Sequence, residues 1–123
     1  MIQTMTTNLM VTDINESIAF YQEALEFKVL DIVENVFAIL GDGTVTLMLE
    51  ERKALIEEYP SLNTETIKPT ITLFTKVDDI HAYHQRIAQK FSILKAMNET
   101  FYGTLEFAIA DPDGYVITFA GEK

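Results

Sequence analysis

TMTTNLMVTDINESIAFYQEAL at residues 4–25 and TITLFTKVDDIHAYHQRIAQKF at residues 70–91 follow one plan, offset by 66 positions, and their comparison decides the fold. Each begins with an alternating run. Thr4, Thr6, Asn8 and Met10 fall on one side of the first and Met5, Thr7, Leu9 and Val11 on the other. In the second, Thr70, Thr72, Phe74 and Lys76 alternate with Ile71, Leu73, Thr75 and Val77. Period-two patterning of this kind predicts a half-buried strand, over 3–11 and 70–77. Each copy then passes through an Asp-Ile junction into a helical stripe: Ile14, Ile18, Tyr21 and Leu25 in one, Ile80, Tyr83, Ile87 and Phe91 in the other. Asp13 and Glu16 have capping-box spacing, with Asp in place of the usual Ser or Thr. The offset carries Thr6 onto Thr72 and Asp13 onto Asp79, and an internal duplication is the simplest account.

Working outward, the first helix (about 14–26) is followed by three β-rich runs, FKVLDIV (27–33), NVFAIL (35–40) and TVTLMLE (44–50). Gly41-Asp42-Gly43 makes a turn between the last two. The second helix is likewise followed by runs at 92–97, 104–110 and 115–120. Both halves thus read β-α-β-β-β. Residues 51–69 are polar and irregular around Pro60, with one helical turn predicted at 53–58. The expectation is one α+β domain over 1–123: a module over about 1–50, a linker over 51–69 and a module over about 70–123.

Composition narrows the function. The 123 residues are 48% apolar, enough for one real core, and contain no cysteine, which excludes disulfides, thiolate metal sites and a thiol nucleophile. Nineteen acidic residues against nine basic give a net charge of −10, which repels phosphate backbones and anionic lipids, so neither nucleic acid nor membrane is an expected partner. The opening MIQTMTTNLM lacks the basic flank and apolar run of a signal peptide, and the predicted location is the cytoplasm. The acidic balance suits either plain solubility or a cationic ligand.

The ending YGTLEFAIADPDGYVITFAGE (102–122), together with the opening strand into Asp13, the Phe20-Tyr21 pair and the repeat, resembles the vicinal oxygen chelate superfamily over nearly the whole chain. That superfamily includes glyoxalase I, bleomycin-resistance proteins, fosfomycin-resistance enzymes and extradiol dioxygenases. Asp111-Pro112-Asp113-Gly114 is also a plain turn-former, with Pro supplying φ at the second position and Gly at the fourth. The resemblance implies two βαβββ modules whose strands form a curved mixed sheet around a cup, with helices on the outer face. Thr72, Phe74, Lys76, Val116, Thr118 and Ala120 would then face the cup, and Ile71, Leu73, Val77, Ile117 and Phe119 the helix.

Metal-using members place a His or similar group in each opening strand and a Glu after the DPDG turn. Carried over, those positions are Thr6, Thr72 and Thr118, and the fourth, in the last strand of the first module, falls on or beside Leu47. Neutral hydroxyls donate too weakly to hold a divalent ion, so no metal or other cofactor is expected. His81 and His84, spaced i, i+3, read more readily as residues of a packed outer helix than as ligands. Glu106 shares a strand face with Thr104 and Ala108 and reads either as a ligand contact or as a half-solvated rim carboxylate. Asn8, Met10 and Phe74 add an amide, a thioether and an aromatic face to the predicted wall, although Met10 and Phe74 also suit plain core packing. Glu50-Glu51 and Glu57-Glu58 read as solvated charge.

The leading expectation is a metal-free binding protein of the bleomycin-resistance type that holds a small organic ligand, with Thr6, Asn8, Met10, Leu47, Thr72, Phe74, Glu106 and Thr118 as candidate contacts and no catalytic residue assigned. The alternative is an enzyme acting on a small carbonyl compound without the usual metal, with Glu106 or Lys76 as acid or base; an interaction module is a third. Family members often dimerise through edge strands or exchanged modules, and a homodimer is predicted.

Overall fold

The computed structural model describes residues 1–123, which divide into two compact units, Met1–Ile67 and Lys68–Lys123. The first contains β1 (Asn8–Val11), α1 (Ile14–Ala24), β2 (Lys28–Val33), β3 (Phe37–Gly41), β4 (Thr46–Glu51) and α2 (Arg52–Glu58), then a 3-10 turn over Pro60–Leu62. The second contains β5 (Thr72–Lys76), α3 (Ile80–Lys90), β6 (Lys95–Glu99), β7 (Thr104–Ala110) and β8 (Val116–Glu122). Each unit is a βαβββ module around a four-stranded mixed sheet, ordered β1-β4-β3-β2 in one and β5-β8-β7-β6 in the other. In both, the first strand runs parallel to the last and the remaining pairs are antiparallel. No helix is long and apolar enough to cross a membrane.

The duplicated Asp residues do the same work twice. Asp13 caps α1 by accepting the amides of Asn15 and Glu16, both at 3.0 Å, and Asp79 caps α3 by accepting that of Ala82 at 3.0 Å. These bonds satisfy donors that the first helical turn leaves without partners. In the first unit, Leu9, Val11, Ala38, Leu40, Leu47 and Leu49 are buried, as are Ile14, Ile18, Tyr21 and Ala24 of α1. In the second, the rings of Phe107 and Phe119 stack at 5.0 Å, and Tyr83 and His84 of α3 pack against them at 5.7 and 4.9 Å. Gly121 lets β8 pass close beneath α3: a Cβ there would lie 2.8 Å from Cβ of Ile80.

Several strands are shorter than their apolar runs. The first begins at Asn8 rather than residue 3: the Met48 amide still donates to the Thr7 carbonyl at 2.9 Å and Thr6 still bonds Thr46 through its hydroxyl, but β4 starts at Thr46 and offers no partner to residues 3–5. Asn35 adopts φ 64° in the β2–β3 turn, so β3 starts at Phe37 and not at 35. The predicted helical turn at 53–58 is α2, capped by Glu51 and anchored by buried Leu55. Ile71 precedes β5 and is exposed instead of packing under a helix.

Asp111-Pro112-Asp113-Gly114 forms the expected turn. Oδ1 of buried Asp111 accepts the amides of Asp113 (2.9 Å) and Tyr115 (2.8 Å), and Gly114 takes φ +94°. This turn sets the phase in which β8 lies between β5 and β7.

Candidate functional site

Register fixes which side chains share the sheet face opposite α3 in the second unit. Lys76, Ala120, Glu106 and Asn98 stand in one row across β5, β8, β7 and β6, and Phe74, Thr118 and Ala108 stand in the next. Small residues therefore floor a trough, with Phe74 and Lys76 on one wall and Glu106 on the other. Strand spacing puts the backbones of Lys76 and Glu106 roughly 9–10 Å apart. A groove of about 580 Å³ opens at the upper end of this trough, lined by Phe74, Lys76, Asp78, Tyr102, Thr104 and Glu122 among others.

Glu106 is 8% exposed, a buried carboxylate on a sheet face whose neighbour Phe74 is 58% exposed. A buried charge needs donors. Glu106 has two hydroxyls: Tyr102 donates to it at 2.5 Å and Thr104 at 3.4 Å. Tyr102 belongs to the β6–β7 hairpin, where Gly103 at φ +90° turns the chain and the exposed Phe101 ring packs edge-on against Tyr102 at 4.9 Å. The hydrogen bond to Glu106, with smaller contributions from desolvation and from the carboxylate's charge, raises the phenol's pKa above its ordinary value, against a smaller lowering from the neighbouring Thr100 and Thr104 hydroxyls. Tyr102 escaped the sequence reading because its meeting with Glu106 depends on the geometry of the hairpin, which no periodicity encodes.

In the first unit, Asn8 and Met10 of β1 lie on the face opposite the buried Leu9 and Val11, as the alternation predicts. Asn8 Nδ2 donates to Glu50 at 3.0 Å, while its Oδ1 is buried without a protein partner. Glu50, taken from sequence as solvated charge, is half-buried and stands beside Met10 and Phe37. Leu47 requires a correction. It is 5% exposed in the core with Leu49, so it does not share the face of Asn8 and Met10. The pairing of Asn8 with Met48 repeats that of Phe74 with Thr118, so Met48 holds the place corresponding to Thr118. The alternation Thr46, Met48, Glu50 against Leu47, Leu49 already contained this answer.

Thr6 Oγ1 shares a hydrogen bond with Thr46 Oγ1 at 3.2 Å, Thr72 is exposed and Thr118 is half-buried. Neither the Thr6 hydroxyl and Met48 thioether of the first unit nor the Thr72 and Thr118 hydroxyls of the second suit a divalent metal, which asks for carboxylate or imidazole. Within either unit no three His, Asp or Glu side chains gather as a metal cluster. His84 is engaged edge-on with Phe107 and His81 is exposed on α3.

The paired βαβββ modules define a class, and sequence comparison agrees with it. The chain belongs to the glyoxalase/bleomycin resistance protein/dioxygenase superfamily, whose profile matches residues 3–119. No functionally curated protein matches the sequence. Similar solved structures include a protein of unknown function from Agrobacterium tumefaciens, 22% identical over 99% of this chain and 95% of that one, with a TM-score of 0.83. A glyoxalase/bleomycin resistance protein/dioxygenase family enzyme from Burkholderia phytofirmans is 24% identical over 96% and 97% of the two chains, with a TM-score of 0.81. A lactoylglutathione lyase from Agrobacterium tumefaciens is 15% identical over 96% and 92%, with a TM-score of 0.78. At these identities the likeness is one of fold.

Proposed function

We propose that this protein is a metal-independent binder of a small organic ligand, acting in the cytoplasm, with the groove of the second unit as a binding surface. One observation carries the proposal: a groove of about 580 Å³ with the Phe74 and Tyr102 rings in its wall and a few polar groups beside them. Ligand sites are mostly apolar concavities of roughly 300–1,000 Å³ with a small number of orienting polar groups. Phe74, Thr72 and Thr118 are the proposed contacts on this sheet, with Glu106 reached through Tyr102, and Asn8, Met10 and Thr6 are proposed contacts of the first unit. The hydroxyl and thioether donors at the superfamily's metal positions support independence from metal.

Ligand-observed NMR against a panel of aromatic fragments, before and after dialysis with a chelator, tests this. Binding is expected to survive chelation and to weaken in Phe74→Ala. Binding that appears only when a divalent metal is restored would refute it.

A homodimer belongs to the same proposal. β2 is an edge strand with Leu30, Ile32 and Val33 exposed, and an uncovered apolar edge invites pairing with a second chain. Sedimentation at micromolar concentration should give the dimer mass; a monomer would count against it.

A further inference from the structure

Glu106 lies behind the groove while Tyr102 lines it, so what the groove meets is the phenol oxygen with a carboxylate at its back. A phenol has one hydrogen to give and lone pairs to accept with. Here the hydrogen is committed to Glu106 at 2.5 Å, and donation to an anion polarises the oxygen into a stronger acceptor. No lysine or arginine forms an ion pair with Glu106, so its charge is not cancelled from the protein side. Asp78 and Glu122 line the same groove against a single ammonium, Lys76, which stands on the opposite wall across Ala120. A cation held at Tyr102 therefore shares the groove with one ammonium and two carboxylates, all screened by solvent in an open groove. The exposed Phe74 ring offers an aromatic or cation–π surface within the same groove.

Resting on the ligand-binding reading above, we infer that the Tyr102–Glu106 pair is a receptor for a protonated amine, so that the groove selects aromatic amines over aromatic acids. Tyr102 accepts the ammonium hydrogen, Glu106 supplies the countercharge through it, and the ligand's ring lies toward Phe74. An aromatic acid finds Lys76 and the Thr104 hydroxyl in its favour, against Asp78, Glu122 and the lone pairs of Tyr102.

The test titrates the isotope-labelled 123-residue chain with 2-phenylethylamine and with phenylacetate, a pair of similar shape and opposite charge at neutral pH. The amine is expected to shift the amides around Phe74, Tyr102 and Thr104 and to bind at least about fivefold more tightly than the acid, as one charge-assisted hydrogen bond in a solvated groove allows. Tyr102→Phe, at a side chain that is 56% exposed, should weaken the amine about five- to tenfold and leave phenylacetate within about twofold. Glu106→Gln should do the same, with spectral dispersion checking that it folds. Equal binding of the two probes, tighter binding of the acid, or an amine affinity indifferent to Tyr102→Phe overturns the amine selectivity while leaving ligand binding standing. If neither probe shifts the groove, both readings fall.

Discussion

Tyr102 and Glu106 are four residues apart on a hairpin, and their hydrogen bond has a consequence for titration. Holding the phenol's proton against a carboxylate favours the neutral form, so Tyr102 ionises above the ordinary tyrosine value. A raised folded-state pKa means that the pair's contribution to stability is present below about pH 10 and is lost as pH climbs through the folded value. Among the five tyrosines, an ultraviolet tyrosinate titration should therefore show a late component that disappears in Tyr102→Phe and moves to the ordinary range in Glu106→Gln. A late component unchanged by Glu106→Gln would exclude the carboxylate as its cause. Two other single residues are sensitive for reasons of space and pairing. Gly121→Ala sets a methyl 2.8 Å from Ile80 Cβ, and overpacking of this kind costs about 1–3 kcal/mol, measurable as a lower urea midpoint at unchanged slope. Asp111→Ala strips two amides of their acceptor beneath the turn and should cost about 1–3 kcal/mol by the same measurement.

At the scale of elements, the two helix caps form an internal comparison. Asp13 accepts two amides and Asp79 one, so Asp13→Ala should destabilise by about 1–2 kcal/mol and Asp79→Ala by about 0.5–1 kcal/mol in thermal or urea melts. A reversed order would show that tertiary packing, not capping, decides those helix starts. These caps were legible in the sequence because a cap is a local event: one side chain and the next three amides. The DPDG turn and the repeated βαβββ order were legible for the same reason, each being written in a few adjacent residues or in a clean period. What failed depended on partners distant in sequence. Residues 3–5 stay out of the first strand because β4 begins at Thr46 and has nothing to set beside them, which no property of those residues announces. Leu47 is buried because the phase of its own strand points it into the core, and a position inferred by resemblance does not carry that phase. Glu50 looked like terminal charge until pairing brought Asn8 beside it, and Tyr102 looked like loop until the hairpin brought it onto Glu106. Core faces follow from periodicity; polar partnerships across a sheet follow from register, which pattern alone leaves open.

At the scale of the whole chain, duplication gave two units with the same strand order, and each repeats a parallel first-to-last strand pair. Where the metal-using relatives implied by the resemblance have imidazole or carboxylate, this chain has Thr6, Thr72, Thr118 and Met48, and its carboxylates Glu50 and Glu106 are engaged by an amide and a phenol instead. A protein that binds its ligand without a metal ion, as proposed above, should purify free of one. Native mass spectrometry of the purified protein, after growth in medium supplemented with zinc, nickel and manganese, tests it most directly. The expected species has the mass of the polypeptide, alone or with an organic molecule, and carries no stoichiometric divalent metal. One transition metal per chain, retained through buffer exchange, would contradict it.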